Sequence, residues 1–233
     1  RLQAKKILIA TGAKPRKIDV PGAQYLIDST EFLELESLPE KIIFVGGGFI
    51  SFEFAHIAAR AGSDVPIIDR GERPLKGFDP DLVDKLLERS KEAGIEVVQK
   101  TNLISIAQEN SGYSVTVDVD GQAQNYLADL IVHGAGRVPA IDCLDLDKAG
   151  VESDAHGVKV NEFLQSISNP SIYAAGDAAD TKGAPLTPVA VFEGKVVASN
   201  MLKGNHAKPD YKGVPTVVFT IPELARVGML EEE

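Results

Sequence analysis

Cysteine is what this chain has least of. Cys143 is alone among 233 residues, so no internal disulfide can form. That scarcity fits a reducing cytoplasm, the location expected here. It leaves Cys143, in the turn Ile141-Asp142-Cys143-Leu144, as an inert small side chain. The four histidines, His56, His133, His156 and His206, are scattered and show no metal-ligand spacing. No apolar run approaches the ~20 residues a membrane span needs, so no membrane partner is expected. Positive charge is in deficit. Lys and Arg number 24 against 34 Asp and Glu, giving a formal net charge of −10. Such a chain gains no general attraction to nucleic acid, which excludes it as an expected partner. The start, Arg1 to Lys6, lacks a signal peptide's apolar stretch and runs straight into the strand-like Ile7-Leu8-Ile9-Ala10. A chain entering in mid-element without Met reads as a fragment.

What is present is ordinary globular material, 44 % hydrophobic and 25 % charged. Strand-like and helix-like segments alternate, so the expected fold class is α/β. Thr11-Gly12-Ala13-Lys14-Pro15 ends the opening strand in a turn. Residues 28–35 read as a short helix with Asp28 or Ser29 as N-cap. Lys41-Ile42-Ile43-Phe44-Val45 is an uninterrupted apolar run, as a parallel strand covered on both faces requires. A helix is expected from Gly48 to Ala61, burying Ile50, Phe54, Ile57, Ala58 and Ala61. Val65-Pro66-Ile67-Ile68 is the next strand, shortened by Pro66. Asp79 caps a helix begun by Pro80, with Leu82, Val83, Leu86 and Leu87 on its buried face. Strands are expected at 95–99, 103–107, 113–117 and 130–132, with Asp120-Gly121 as a hairpin turn. Beyond Pro139 come short, turn-rich segments, then a strand into Gly176-Asp177, a helix at 190–202 and a strand at 214–219.

One constellation has a mechanical meaning. Gly46-x-Gly48-x-x-Ser51 lies between a strand and a helix, and an acid, Asp69, ends the next strand about 20 residues later. Gly46 permits a tight turn, Gly48 lets backbone approach a pyrophosphate, and the small Ser51 allows close helix–strand packing. The helix N-terminus offers free N–H groups and a positive dipole end to phosphates. Asp69 suits the ribose hydroxyls of NAD. Arg70, with Arg73 or Lys76, suits the 2′-phosphate of NADP, or else these three are solvated loop charges.

Three segments then meet: Ile9 to Pro15, Gly46-Gly47-Gly48-Phe49-Ile50-Ser51-Phe52-Glu53, and Tyr173-Ala174-Ala175-Gly176-Asp177. In order and separation they resemble the pyridine nucleotide-disulfide oxidoreductase family, of the glutathione reductase, dihydrolipoamide dehydrogenase and mercuric reductase type. Gly134-Ala135-Gly136-Arg137-Val138-Pro139 resembles the end of that family's NAD(P) domain. Leu186-Thr187-Pro188-Val189-Ala190 resembles its flavin-facing helix start. Residues 217–220 with 226–228 resemble the opening of its dimer-interface domain. The resemblance spans essentially the whole chain. It implies a Rossmann-like NAD(P)-binding domain inserted in a partial FAD-binding domain, a mixed three-layer α/β architecture. The implied boundaries are 1–15 and 139–212 for the FAD part, 16–138 for the NAD(P) part, and 213–233 for the start of the dimerisation domain.

The resemblance also implies roles. Gly46, Gly48 and Ile50 belong to the dinucleotide turn. Phe49 matches an aromatic gate over the flavin, or is a core phenylalanine. Glu53 matches an acid that pairs with a lysine near the flavin ring. Gly136 and Arg137 match a strand-end pair near the nicotinamide, with Arg137 otherwise a surface arginine. Thr11 and Gly12 match the flavin domain's exit turn. Asp177 after Gly176 matches the acid that bonds the ribityl chain, or is a helix cap. Thr187 and Pro188 match a helix start facing the isoalloxazine carbonyls. No catalytic acid, base or nucleophile is assignable, because the family's cysteine pair and His-Glu pair have no counterpart in the chain. The implied whole is a homodimeric enzyme with FAD and NAD(P)H as cofactors, passing hydride to a disulfide or related small acceptor. The fragment itself is expected to be inactive, binding NAD(P)H weakly and FAD poorly. A stand-alone NAD(P)-binding module, and a flavoprotein NAD(P)H oxidase or reductase acting on no disulfide, are the alternatives.

Overall fold

The apolar run at 41–45 forms the strand Ile42–Val45, and all four of its side chains are buried. In this computed structural model, which describes residues 3–231, the chain divides into two compact units. One comprises residues 15–136 together with the segment from Pro215 onward, and the other comprises the chain up to Lys14 together with Arg137–Val214.

In the first unit, Ile42–Val45 pairs in parallel with Ile67–Ile68 on one side and Leu130–His133 on the other, and Val97–Val98 completes a four-stranded sheet. Pro66 has no N–H to give, and the strand after it is two residues long. Side chains alternate along Ile42–Val45. Ile42 and Phe44 enter a core with Phe52, Phe54, Val83 and Leu86. Ile43 and Val45 enter another with Ile106, Val115 and Val117. The parallel sheet is therefore covered by helices on one face and an antiparallel sheet on the other, a mixed α/β arrangement of three layers. That antiparallel sheet is Thr101–Glu109, Gly112–Val119 and Gln122–Ala128. Its second hairpin turns on Asp120 and Gly121, both with positive φ (50° and 82°), as a two-residue type I′ loop requires.

Among the described residues three α-helices belong to this unit. α1, Ser29–Leu33, is capped by Asp28, whose side chain accepts from Thr30 and Glu31 N–H while Glu31 accepts from Asp28 N–H. It is shorter than the expected 28–35. α2 is Phe49–Arg60 and α3 is Pro80–Glu92, the latter capped by Asp79 with proline in its first turn. Three buried-face expectations are corrected, the first being Ala61, which is exposed just past α2. Ile57 is 55 % exposed and Leu82 50 % exposed. On α2 the buried arc instead runs through Ser51, Phe52, Phe54, Ala55, His56 and Ala58. The arc is wide because a hairpin, Pro215–Val218 with Leu224–Val227, adds Val218 and Leu224 to the same core. The hairpin lies in the segment 213–233, expected to be the start of a dimerisation domain. Here Glu53 and His56 of α2 accept the Phe219 and Ile221 N–H groups, at 3.0 and 3.3 Å.

In the second unit Ile7–Ile9 pairs in parallel with Ile172–Ala174. A small sheet of Ser153–Asp154, Gly157–Lys159 and Ala179–Asp180 lies beside it in sequence. These strands are too short to show periodicity and went unread. Ile9, Val158, Ile172 and Ala174 form one core. Tyr173, Val196 and Val197 form another under α4, Thr187–Lys203. α4 begins three residues before the expected 190, because Pro188 in its first turn fits a helix start. Among the described residues no helix is long and apolar enough to cross a membrane.

Candidate functional site

The dinucleotide turn is built where two neighbouring strands end. Gly46 N–H donates to Ile68 O and Gly134 N–H to Val45 O, each at 2.8 Å. Gly46 has φ +108°, and a Cβ there would lie 2.5 Å from the Ala135 backbone. A Cβ on Gly47 would strike the Asp69 carboxyl at 2.6 Å. Both positions require glycine, one for conformation and both for space. Gly48 is the extended N-cap of α2 and supplies no side-chain cap, so the first-turn N–H groups and the positive end of the helix are open to an anion.

Asp69 is buried at the end of Ile67–Ile68, and its Oδ1 accepts the Gly47 N–H at 3.1 Å. Sequence spacing placed it at this turn, and the structure brings the two together. Arg70 is exposed and makes no ion pair among the described residues. Arg73 pairs with Asp84 at 3.6 Å. Ser51, the third residue of the motif, is fully buried, and among the described residues its hydroxyl has no hydrogen-bond partner. Its Oγ lies 2.0 Å from where a Cβ on Gly134 would sit, so the close approach of helix and strand depends on that glycine.

Ile50 is half-buried against the α2 core. The half-buried Phe49 ring lies 5.6 Å from the Phe78 ring, tilted by 48°. Glu53 is half-buried and holds Phe219 N–H. Gly136, at φ +99°, is exposed, and its carbonyl accepts Arg16 N–H at 3.0 Å. His56, two turns along α2, was not read as functional. Its Nε2 meets Ser90 Oγ at 3.0 Å. Burial first, and the Arg60 charge second, lower its pKa from 6.5 to about 4.

The second group of expected residues lies in the other unit. Thr11 is exposed, and Gly12, at φ +68°, accepts Ala140 N–H at 2.9 Å. Arg137 is exposed, and its guanidinium donates to Ala13 O. Ile172–Ala174 runs into the turn Gly176–Ala178. Gly176 has φ +66°. Asp177 is half-buried, makes no hydrogen bond among the described residues and caps nothing. The cap alternative therefore falls, and a carboxylate is left for an outside donor. α4 starts beside this turn, since a Cβ on Gly176 would lie 3.0 Å from Ala190 Cβ. Thr187 and Pro188 are exposed at its uncapped N-terminus. Sequence reading missed Glu193. It is buried on α4 and accepts the Gly176 N–H at 2.6 Å. A lone acid within Val189-Ala190-Val191-Phe192-Glu193 was the available signal.

These residues fit two nucleotide cofactors. The glycine cradle and open helix end suit a pyrophosphate, and the unbonded Asp177 suits a polyol hydroxyl. Among the described residues no cluster of three or more His, Cys, Asp or Glu could hold a metal.

A family model described as pyridine nucleotide-disulphide oxidoreductase matches residues 1–194. A glutathione reductase of Nostoc sp. is 36 % identical over 244 residues, covering 100 % of this chain and 52 % of that protein. A mercuric reductase of Staphylococcus aureus is 35 % identical over 235 residues, covering 100 % of this chain and 42 % of that protein. A solved structure of the HOCl-induced flavoprotein disulfide reductase RclA of Escherichia coli, as its Cu(II) complex, matches with a TM-score of 0.89 at 29 % identity. That match covers 99 % of this chain and 53 % of that one. The chain spans about half the length of the curated relatives it matches.

Proposed function

This chain belongs to the pyridine nucleotide-disulphide oxidoreductase family, and on that premise we propose that it carries the NAD(P)H site and part of the FAD site of a flavoprotein reductase. FAD and NAD(P)H are the cofactors of this family. The observation that carries the proposal is the uncapped glycine turn Gly46–Gly48 with the buried Asp69 carboxylate bonded to it.

In this reading the unit containing residues 15–136 binds the nicotinamide dinucleotide. The N–H groups at the start of α2 hold its pyrophosphate, and Asp69 takes the adenosine ribose. Asp69 Oδ1 is held by Gly47, and among the described residues Oδ2 has no hydrogen bond, so a carboxylate oxygen remains for the ribose hydroxyls and disfavours a phosphate there. This arrangement supports NADH over NADPH, with Arg70 as a solvated charge. Phe49 and Glu53 border the nicotinamide end, and Gly136 lies at the neighbouring strand end. The other unit holds its share of the flavin through Thr11, Gly12, Gly176 and Asp177. Thr187 and Pro188 present the α4 N-terminus to negative charge on the ring, and Arg137 supports the turn at Ala13. When bound, the flavin accepts hydride from the nicotinamide and relays electrons to the acceptor. The acceptor class is a disulfide or a related small oxidant, by similarity to the glutathione and mercuric reductases. The whole protein is a cytoplasmic homodimer in this reading, with the segment from 213 onward opening the interface domain.

Calorimetric titration of the 233-residue chain with NADH tests the proposal. Saturable one-to-one binding is expected, and Gly46→Val should abolish it because the side chain meets the Ala135 backbone. Equal heats for both proteins would refute the proposed site.

A further inference from the structure

Glu193 is 1 % exposed on α4, among whose buried residues are Val189, Val196 and Val197. A carboxylate in such a place persists only if donors replace water. Three do so, from three segments. Gly176 N–H donates to Oε2 at 2.6 Å, and Thr181 Oγ1 and the Tyr211 hydroxyl donate to Oε1 at 2.8 and 2.6 Å. The bonds from Gly176 and Tyr211 are short, and that from Thr181 is of ordinary length. Burial, with the bond to Glu193, pushes the Tyr211 phenol well above its usual range, so it stays a donor. Thr181 Oγ1 in turn accepts Gly183 N–H at 3.1 Å. Gly183 is confined as well, since a Cβ there would lie 2.7 Å from the Tyr211 ring and 3.0 Å from Glu193 Oε1.

The neighbour of the first donor is Asp177, which has no bond of its own among the described residues. Its direction is set by the backbone of Gly176, at φ +66°, and Glu193 holds that backbone.

We propose that Glu193 is a positioning residue for the flavin, anchoring Gly176 so that Asp177 meets the ribityl chain, with Thr181 and Tyr211 holding the anchor in place. This rests on the reading above that this unit holds flavin. Glutamine at 193 would turn an NH2 toward one of the donors, and alanine would leave all three unpaired.

The test uses the full-length protein and titrates its apo form with FAD. Glu193→Gln should weaken FAD binding by about tenfold and shift the visible spectrum of the flavin that still binds, with the Kd for NADH unchanged. Tyr211→Phe, which removes one donor, should weaken FAD by a smaller factor and serves if Glu193→Gln does not fold. Asn200→Ala is the control. Asn200 is buried on the same helix but bonds Phe163, His206 and Ala207. It should lower Tm while leaving FAD affinity and spectrum as in the wild type. If Glu193→Gln and Tyr211→Phe behave as Asn200→Ala does, Glu193 is only structural and the proposal is overturned. If the wild type binds NADH but no FAD, the flavin reading fails and the inference with it.

Discussion

At the scale of single residues, Ser51 and Asp69 carry the sharpest expectations. A fully buried hydroxyl without a partner costs about 1–3 kcal/mol relative to a satisfied or apolar group. Ser51 has such a hydroxyl. Ser51→Ala removes it and leaves the close contact with Gly134, so the chain should gain about 1 kcal/mol, or roughly 2–4 °C in Tm. A thermal melt that shows a loss instead would mean the hydroxyl has a partner. Asp69→Ala should weaken NADH by about tenfold, the worth of one good bond to a carboxylate, and narrow the preference over NADPH. Competition binding of the two dinucleotides reads this directly, and an unchanged ratio would make Asp69 a turn-bracing residue only. Both residues were legible in the sequence for one reason. Gly46, Gly48, Ser51 and Asp69 answer to backbone geometry, which spacing records. Glu193 was not legible, because its donors come from positions 12, 17 and 18 residues away and only the folded chain assembles them.

At the scale of elements, α2 joins the dinucleotide turn to the 215–227 hairpin through Glu53 and His56. Ser90 Oγ donates to Leu86 O at 2.8 Å, so it accepts the His56 Nε2–H. His56 Nδ1 then keeps its lone pair and accepts Ile221 N–H. The ring is held neutral, with its pKa lowered from 6.5 to about 4. The sign follows. Above pH 6.5 folded and unfolded chains are both neutral at this residue, and nothing is lost. Below it the unfolded chain takes a proton that the folded one refuses, so stability falls until about pH 4. At about 1.4 kcal/mol per pH unit, the interval from 6.5 to about 4 sets a ceiling of about 3.5 kcal/mol. Urea unfolding at pH 7 and pH 5 should show a drop in the wild type that is much reduced in His56→Gln. Equal drops would assign the acid sensitivity to other groups. This helix also shows what periodicity leaves out. A three-to-four spacing of apolar residues finds a stripe but not its width. The hairpin segment covers α2 at His56, Ser51 packs against Gly134, and Ile57 is left outside.

At the scale of the whole molecule, the alternation of strand-like and helix-like segments was enough to expect an α/β chain, and the glycine motifs placed nucleotide-binding turns at its strand ends. Each long apolar segment declared its strand, because burial on both faces demands continuous hydrophobicity. The second unit was harder to read. Its strands are two or three residues long, and its partners Ile7–Ile9 and Ile172–Ala174 lie far apart in sequence. Each unit closes its own core, so ligand binding should act locally. Hydrogen exchange of the 233-residue chain, with and without saturating NADH, tests this. Amides at the α2 start slow down if their N–H groups hold a phosphate, and those around Asp69 and Gly134 slow with them, since they are bonded to the same turn. Amides at 172–178 and along α4 should exchange at unchanged rates, because none of them bonds to that turn. Protection spread evenly over both sets would mean that the dinucleotide is read by the whole chain. Protection confined to 172–178 would move the NADH site to the turn assigned here to flavin.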